Sequence, residues 1–315
     1  MITDNLKNAL ILLYVAIFLL FGITKFIQKV FKKDIENMCI RLKSFLGITL
    51  FFTVAFLFNK ITAFCFIGLI SYLCLKEFFS IIPVRRTDRN IYLWAYLSIP
   101  VSLYIVYIKW INLFYIFIPL YMFIWISTRM VLSGNTKGFL KNLAVMQYGL
   151  MSTVYALCYL GLIYVIPNEN NPKAGALGLL YYILVLTVAN DFIQMFTGKI
   201  LGKHKIIPSI SPNKTWEGFI GGVIGTTILS VLMGNYVTDL SIGQLTFLGI
   251  ILAAFGFFGD VTVSAIKRDF GIKDTSTLIP GHGGILDRLD SLLFTAPLFF
   301  HFYAYTHTLI FTRGI

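Results

Sequence analysis

Apolar runs recur along the whole chain, and short polar stretches separate them. About twenty apolar residues cross a hydrocarbon core as a helix. By that measure the pattern predicts an all-α, polytopic integral membrane protein. It has about ten transmembrane helices, centred near residues 16, 51, 69, 99, 118, 154, 184, 227, 251 and 300. The first run, about 9–23, has the length of a signal peptide. Its flank holds both Asp4 and Lys7 and no A-x-A site follows, so it reads as a retained span. The polar stretches after the first, third, fifth, seventh and ninth runs carry 21 of the 26 lysines and arginines. Cytoplasmic loops of membrane proteins are rich in these residues. The asymmetry therefore predicts five cytoplasmic loops, with both termini outside.

Composition agrees with the pattern. Hydrophobic residues make up 57% of the chain and charged ones 13%, against about 25% charged in soluble domains. The net charge of +12 would raise nucleic acid as a partner of a soluble protein. Loop asymmetry explains it here, and no nucleic acid partner is expected. The four cysteines, at 39, 65, 74 and 158, have neither metal nor disulfide spacing.

Candidate chemistry is confined to the second half, near predicted cytoplasmic helix ends. Asp191 lies inside the apolar run 177–196. An acid within a span is costly and points to function; the plainer reading is an aspartate satisfied by a neighbouring helix. The stretch 203–218, KHKIIPSISPNKTWEG, offers Lys203, Lys205 and Lys214 with the hydroxyls of Ser209, Ser211 and Thr215. Cations and hydroxyls on a constrained loop suit phosphate oxygens, although cytoplasmic loops are basic anyway. Glycines 218, 221, 222 and 225 follow, a pattern for close helix packing.

The third cluster is SAIKRDFGIKDTSTLIPGHGGILDRLD, residues 264–290. If the ninth helix continues past Asp260, then Asp260, Ser264, Lys267 and Arg268 share one arc. Glycines around His282 let backbone N–H groups approach an anion. Asp287 and Asp290, at i and i+3, share a face, and paired carboxylates suit Mg²⁺. The plainer reading is a polar helix cap with ion pairs.

This third stretch resembles the full signature of the phosphatidate cytidylyltransferase (CDP-diglyceride synthase) family: Ser264, Lys267, Arg268, Lys273, Asp274, Ser276, Pro280, His282, Gly283, Gly284, Asp287, Arg288 and Asp290 all fit. Ser211, Pro212, Lys214, Thr215, Glu217 and Gly218 are similar to the family's S-P-x-K-T-x-E-G. The resemblance extends from about residue 191 to 297, and before that only the hydrophobic layout agrees. Two departures stand out. Ile193-Gln194-Met195 replace a common Gly-Ala-Tyr, and Val263 replaces a common glutamate. They suggest a divergent branch with a changed acceptor lipid.

The resemblance implies a nucleotidyltransferase that condenses CTP with phosphatidate, or a related lipid phosphate, to CDP-diacylglycerol and pyrophosphate. It places the active site at the cytoplasmic ends of the carboxyl-terminal helices, in a bacterial inner membrane. Asp260 and Asp287 would bind Mg²⁺ with Asp290 as an additional ligand, a second cation being left open. Lys267 and Arg268 would hold phosphate oxygens. Asp191, Ser211, Lys214, Thr215, Ser264, Lys273, His282, Gly283, Gly284 and Arg288 would bind substrate. Residues 1–175 would be an amino-terminal scaffold and 176–315 the catalytic domain. The expected partners are CTP, the phospholipid and the membrane, and a homodimer is left open. Competing readings are a transporter, a CTP-dependent lipid kinase and a catalytically inactive lipid-binding paralog.

Overall fold

The computed structural model describes residues 3–31, 36–82, 89–276 and 283–307. Among them ten helical rods follow the predicted runs: α1 Asp4–Phe31, α2 Glu36–Phe58, α3 Lys60–Ile81, α4 Arg89–Tyr107, α5 Ile111–Leu132, α6 Phe139–Tyr164, α7 Gly175–Leu201, α8 Trp216–Val237, α9 Ile242–Asp269 and α10 Leu286–Thr306. Among the described residues seven of these, α3 to α9, are long and apolar enough to cross a membrane by length and composition. The first turn of α10 carries Asp287 and Arg288, with Asp290 just behind.

Local sequence sets where the rods begin and bend. Asn59 and Thr62 form a reciprocal capping box that starts α3, and Ser241 and Gln244 do the same for α9. Thr215 caps α8 by accepting from the Gly218 N–H at 3.2 Å. Pro119 falls in a π-helical turn of α5, Phe117–Met122. Proline has no N–H to give the α-helical ladder, and a wider turn absorbs the break.

The carboxyl-terminal helices α7 to α10 pack closely. Lipid tails are as apolar as leucine, so small residues and hydrogen bonds hold helices together in a bilayer. A methyl group on Gly218 of α8 would stand 2.8 Å from the Gln194 carbonyl of α7. On Gly259 of α9 it would stand 2.5 Å from the Asp290 carbonyl of α10. This bare surface brings α9 and α10 together beside the acids they carry. Hydroxyls add ties between the helices. Tyr182 donates to Ser230 at 2.6 Å, Ser230 donates to the Leu245 carbonyl at 2.6 Å, and Thr187 pairs with Thr295 at 3.0 Å. The core also takes in Tyr159 of α6 and Phe299, Phe300 and Tyr303 of α10.

Cross-links show which helix ends meet. The carboxyl ends of α3, α7 and α9 and the amino ends of α8 and α10 gather at one end of the bundle. That is the end to which the sequence assigns its basic loops.

Candidate active site

Two lysine–aspartate pairs organise this end. The first joins two of the sequence clusters. Lys214, two residues before α8, reaches Asp260 of α9, with Nζ 2.5 Å from Oδ2. Ser264, one turn on, donates to the other Asp260 oxygen at 3.3 Å. Thus α9 does continue past Asp260, as the arc of polar residues requires. Burial works against the Lys214 ammonium, but the carboxylates of Asp260 and Asp191 outweigh it. They hold its pKa above the ordinary lysine value.

Asp191 and Asp290 complete this cluster. They lie within electrostatic reach of each other, of Asp260, and of Lys214 and Arg288. Asp191 accepts from the Ser291 hydroxyl at 2.9 Å, which ties α7 to α10. Asp290 is buried and accepts from the Ser291 N–H at 2.8 Å. A carboxylate offers about four acceptor positions. Among the described residues, Asp191 and Asp290 each use one and Asp260 uses two. The cluster therefore keeps spare oxygen lone pairs.

The second pair is Lys267 of α9 with Asp287 of α10, at 2.7 Å. It is deeper, with 3% of the Asp287 side chain exposed against 24% for Asp260. The other Asp287 oxygen accepts from the Thr275 N–H (2.9 Å), the Thr275 hydroxyl (3.0 Å) and the Gly284 N–H (3.0 Å). Four donor groups thus crowd Asp287, although the Thr275 hydroxyl has a single proton and lies equally close to Glu77. Gly283 has φ +82°, a conformation that favours glycine. A methyl group on Gly284 would overlap Thr275 and Glu77. The glycines thus let the chain fold tightly onto Asp287.

The remaining expected residues divide. Arg268 spends its guanidinium on the carbonyls of Ile210 (3.2 Å) and Ile272 (2.9 Å), tying the loop before α8 to the end of α9. Thr215 is buried as the α8 cap. Ser211 lies in the turn that leads to Lys214, accepting the Lys214 N–H at 3.3 Å through its carbonyl. Lys273 and Arg288 are exposed at the same end. His282 lies outside the described residues.

Sequence reading passed over Glu77, and it named Glu217 and Gln194 without their partners. Glu217 grips the N–H groups of Lys203 and His204, and its carboxylate stands 2.6 Å from His204 Nδ1. It closes the base of the basic loop, where Lys205 and Thr215 form an antiparallel bridge. The Ile193-Gln194-Met195 run was expected to narrow or reshape a lipid entrance; within it, Gln194 is buried between α7, α8 and α9, donating to Asn190 Oδ1 at 3.0 Å, with its own carbonyl oxygen unpartnered among the described residues. Glu77, near the end of α3, is buried against the signature segment. An acid inside an apolar run was the available signal, the same one that singled out Asp191.

Mg²⁺ commonly takes one or two protein carboxylates and completes its shell with substrate phosphates and water. Among the described residues no three acidic, histidine or cysteine side chains form a ready-made metal cage. Asp260 and Asp290, with spare oxygens near Asp191, nevertheless fit that smaller requirement. Asp287 fits less well, because donor groups already crowd its oxygens.

A helical membrane bundle with carboxylates and lysines gathered at one end is what a membrane enzyme acting on phosphorylated substrates needs. The chain belongs to the cytidylyltransferase family, whose sequence profile matches residues 39–306. It is 39% identical over 269 residues to "Uncharacterized protein YnbB" of Escherichia coli K12, covering 85% of this chain and 88% of that protein. It is 41% identical over 169 residues to the phosphatidate cytidylyltransferase of Staphylococcus haemolyticus, which covers 53% of this chain and 61% of that protein. The enzyme of that name from Haemophilus influenzae is 41% identical over 139 residues, 42% of this chain and 48% of that protein. The match to these two enzymes thus spans about half to three fifths of their length.

Proposed function

We propose that the protein transfers CMP from CTP to phosphatidate or a closely related lipid phosphate, at the cytoplasmic face of the membrane. The observation that carries this reading is the Lys214–Asp260 contact. It joins the basic loop to α9 beside Asp191 and Asp290. The lipid phosphate oxygen attacks the α-phosphorus of CTP, the bond from that phosphorus to the bridging oxygen breaks, and pyrophosphate leaves. The nucleophile is already an anion, so no general base is required. The difficulty is bringing two anions together, and catalysis is charge neutralisation and in-line positioning.

Lys214 neutralises phosphate oxygens once it moves from Asp260 to substrate, and Arg288 and Lys273 add positive charge at the rim. Asp260 and Asp290, with Asp191 beside them, would hold Mg²⁺. The ion supplies charge stabilisation on the triphosphate. Lys267, paired with Asp287, keeps α9 and α10 in register and does not touch substrate. Arg268 holds the basic loop in place.

The test is incubation of purified protein with CTP labelled at the α-phosphate, Mg²⁺ and a panel of phospholipids. Label should enter the lipid as pyrophosphate is released. Release of CDP would identify a lipid kinase instead. Failure to consume CTP with every phosphorylated lipid, together with failure to bind CTP–Mg²⁺, would remove the enzyme reading.

A further inference from the structure

Glu77 belongs to the half of the chain that sequence reading treated as scaffold, yet its carboxylate is built into the site. It is 6% exposed and lies one turn before the end of α3. One oxygen accepts from the Ser276 hydroxyl at 2.7 Å and the Ile285 N–H at 3.0 Å. The other accepts from the Thr275 hydroxyl at 3.0 Å and the Leu286 N–H at 2.8 Å. Two N–H groups and the Ser276 hydroxyl donate to Glu77 outright, and the single Thr275 proton is shared between Glu77 and Asp287.

The donors come from both sides of one stretch. Thr275 and Ser276 precede it, and Ile285 and Leu286 follow it. Glu77 therefore ties residues 275–276 to residues 285–286 within the signature segment. Its second role concerns α10. A helix leaves its first N–H groups without internal partners. Ile285, at the cap position of α10, has no side chain able to accept them. Glu77, on another helix, supplies the missing acceptor, and a negative charge there also suits the helix dipole. Asp287 and Asp290 sit in the first turn and a half of α10. The carboxylate that caps the helix therefore sets their height and rotation.

We infer that Glu77 is a positioning residue for nucleotidyl transfer: by capping α10 from α3 it fixes Asp287 and Asp290 relative to Asp260 and Lys214. This inference rests on the proposed transfer reaction for its kinetic consequence, but not for its structural one. The amino-terminal bundle thereby becomes part of the catalytic apparatus.

The test is Glu77→Gln in the full chain. The substitution keeps the shape but replaces an acceptor oxygen by an NH₂ group, which faces N–H and hydroxyl donors. With wild type active, kcat should fall by about ten- to a hundredfold, the scale of a small misplacement of reacting groups. The KM for lipid should change by less than about threefold, because lipid contacts are untouched. Hydrogen exchange needs no activity. The amides of Ile285 and Leu286 should exchange at least about tenfold faster, as expected for loss of a charge-assisted hydrogen bond, while α6 and α7 keep their protection. A wild-type kcat in Glu77→Gln, or unchanged exchange at Ile285 and Leu286, overturns the inference. Wild type that consumes no CTP defeats the proposed reaction alone, and exchange then decides the role of Glu77. If Glu77→Gln does not purify folded, Ser276→Ala, which removes one of the four donors, should raise the same two exchange rates, and unchanged rates overturn the inference.

Discussion

Lys214–Asp260 and Lys267–Asp287 share a chemistry but not a setting. In the second pair the carboxylate is almost fully buried and four donor groups crowd its oxygens. In the first pair a quarter of the carboxylate is exposed, and its neighbours Asp191 and Asp290 keep oxygens to spare. A saturated ion pair holds a shape. An unsaturated one, between a lysine on a loop and an acid on a helix, can exchange its partner for substrate or a cation. The family resemblance gave Asp260 and Asp287 the same task, and their surroundings differ.

The largest effect expected from this difference is on turnover. Asp260→Asn and Lys214→Ala should each lower CMP transfer by about 10²–10³-fold, the range for losing one preorganised charge. Thermal stability in detergent should hardly move. A variant with near wild-type turnover would take that residue out of the reacting centre.

Asp287→Asn should behave differently. It leaves the Lys267 ammonium buried without its counter-charge, at a cost of about 3–5 kcal/mol. A lowered melting temperature should therefore accompany its loss of activity. If Asp287→Asn instead melts like wild type and loses only Mg²⁺ dependence, the two pairs have exchanged roles.

Metal removal sharpens the same contrast. EDTA should abolish transfer and Mg²⁺ restore it. The Mg²⁺ concentration needed for half-maximal binding of CTP should rise in Asp290→Asn, and rise less in Glu77→Gln. Equal shifts in both would mean that Asp290 acts only through the helix that carries it.

The smallest effect belongs to Gln194. Its carbonyl oxygen has no partner among the described residues, so Gln194→Ala both removes that defect and gives up a hydrogen bond to Asn190. The net change in stability should be within about 1 kcal/mol, with the ranking of acceptor lipids unchanged. A reordered ranking would return Gln194 to the lipid path.

Much of this arrangement was legible before any coordinates. Apolar run length located the helices, and the 203–218 and 264–290 stretches stood out because hydroxyls, glycines and paired acids accompany their basic residues. The count of crossings was less legible. Length reports a helix, but α10 mixes its apolar run with Asp287, Arg288 and Asp290. Partners were not legible either. Glu77 meets residues about 200 positions away, and no local pattern announces them. The inward rotation of Gln194 depends on which face of α7 meets Gly222 of α8. The capping role of Thr215 was readable from T-W-E-G ahead of an apolar run, although its burial against Gly198 and Gly202 was not.

The clasp at Glu77 also constrains how the protein is made. Its backbone donors, Ile285 and Leu286, are translated 208 and 209 residues after it. At about 5–20 residues per second, the ribosome needs roughly 10–40 s to deliver them. During that interval α3 sits in the bilayer with an acid whose partners do not yet exist. When α10 emerges, it is a poor candidate for insertion on its own, because aspartate and arginine are costly in a membrane helix. The waiting carboxylate, with Lys267 already in place, offers each of its awkward groups a berth. The last helix is thus received by the earlier ones rather than by the lipid.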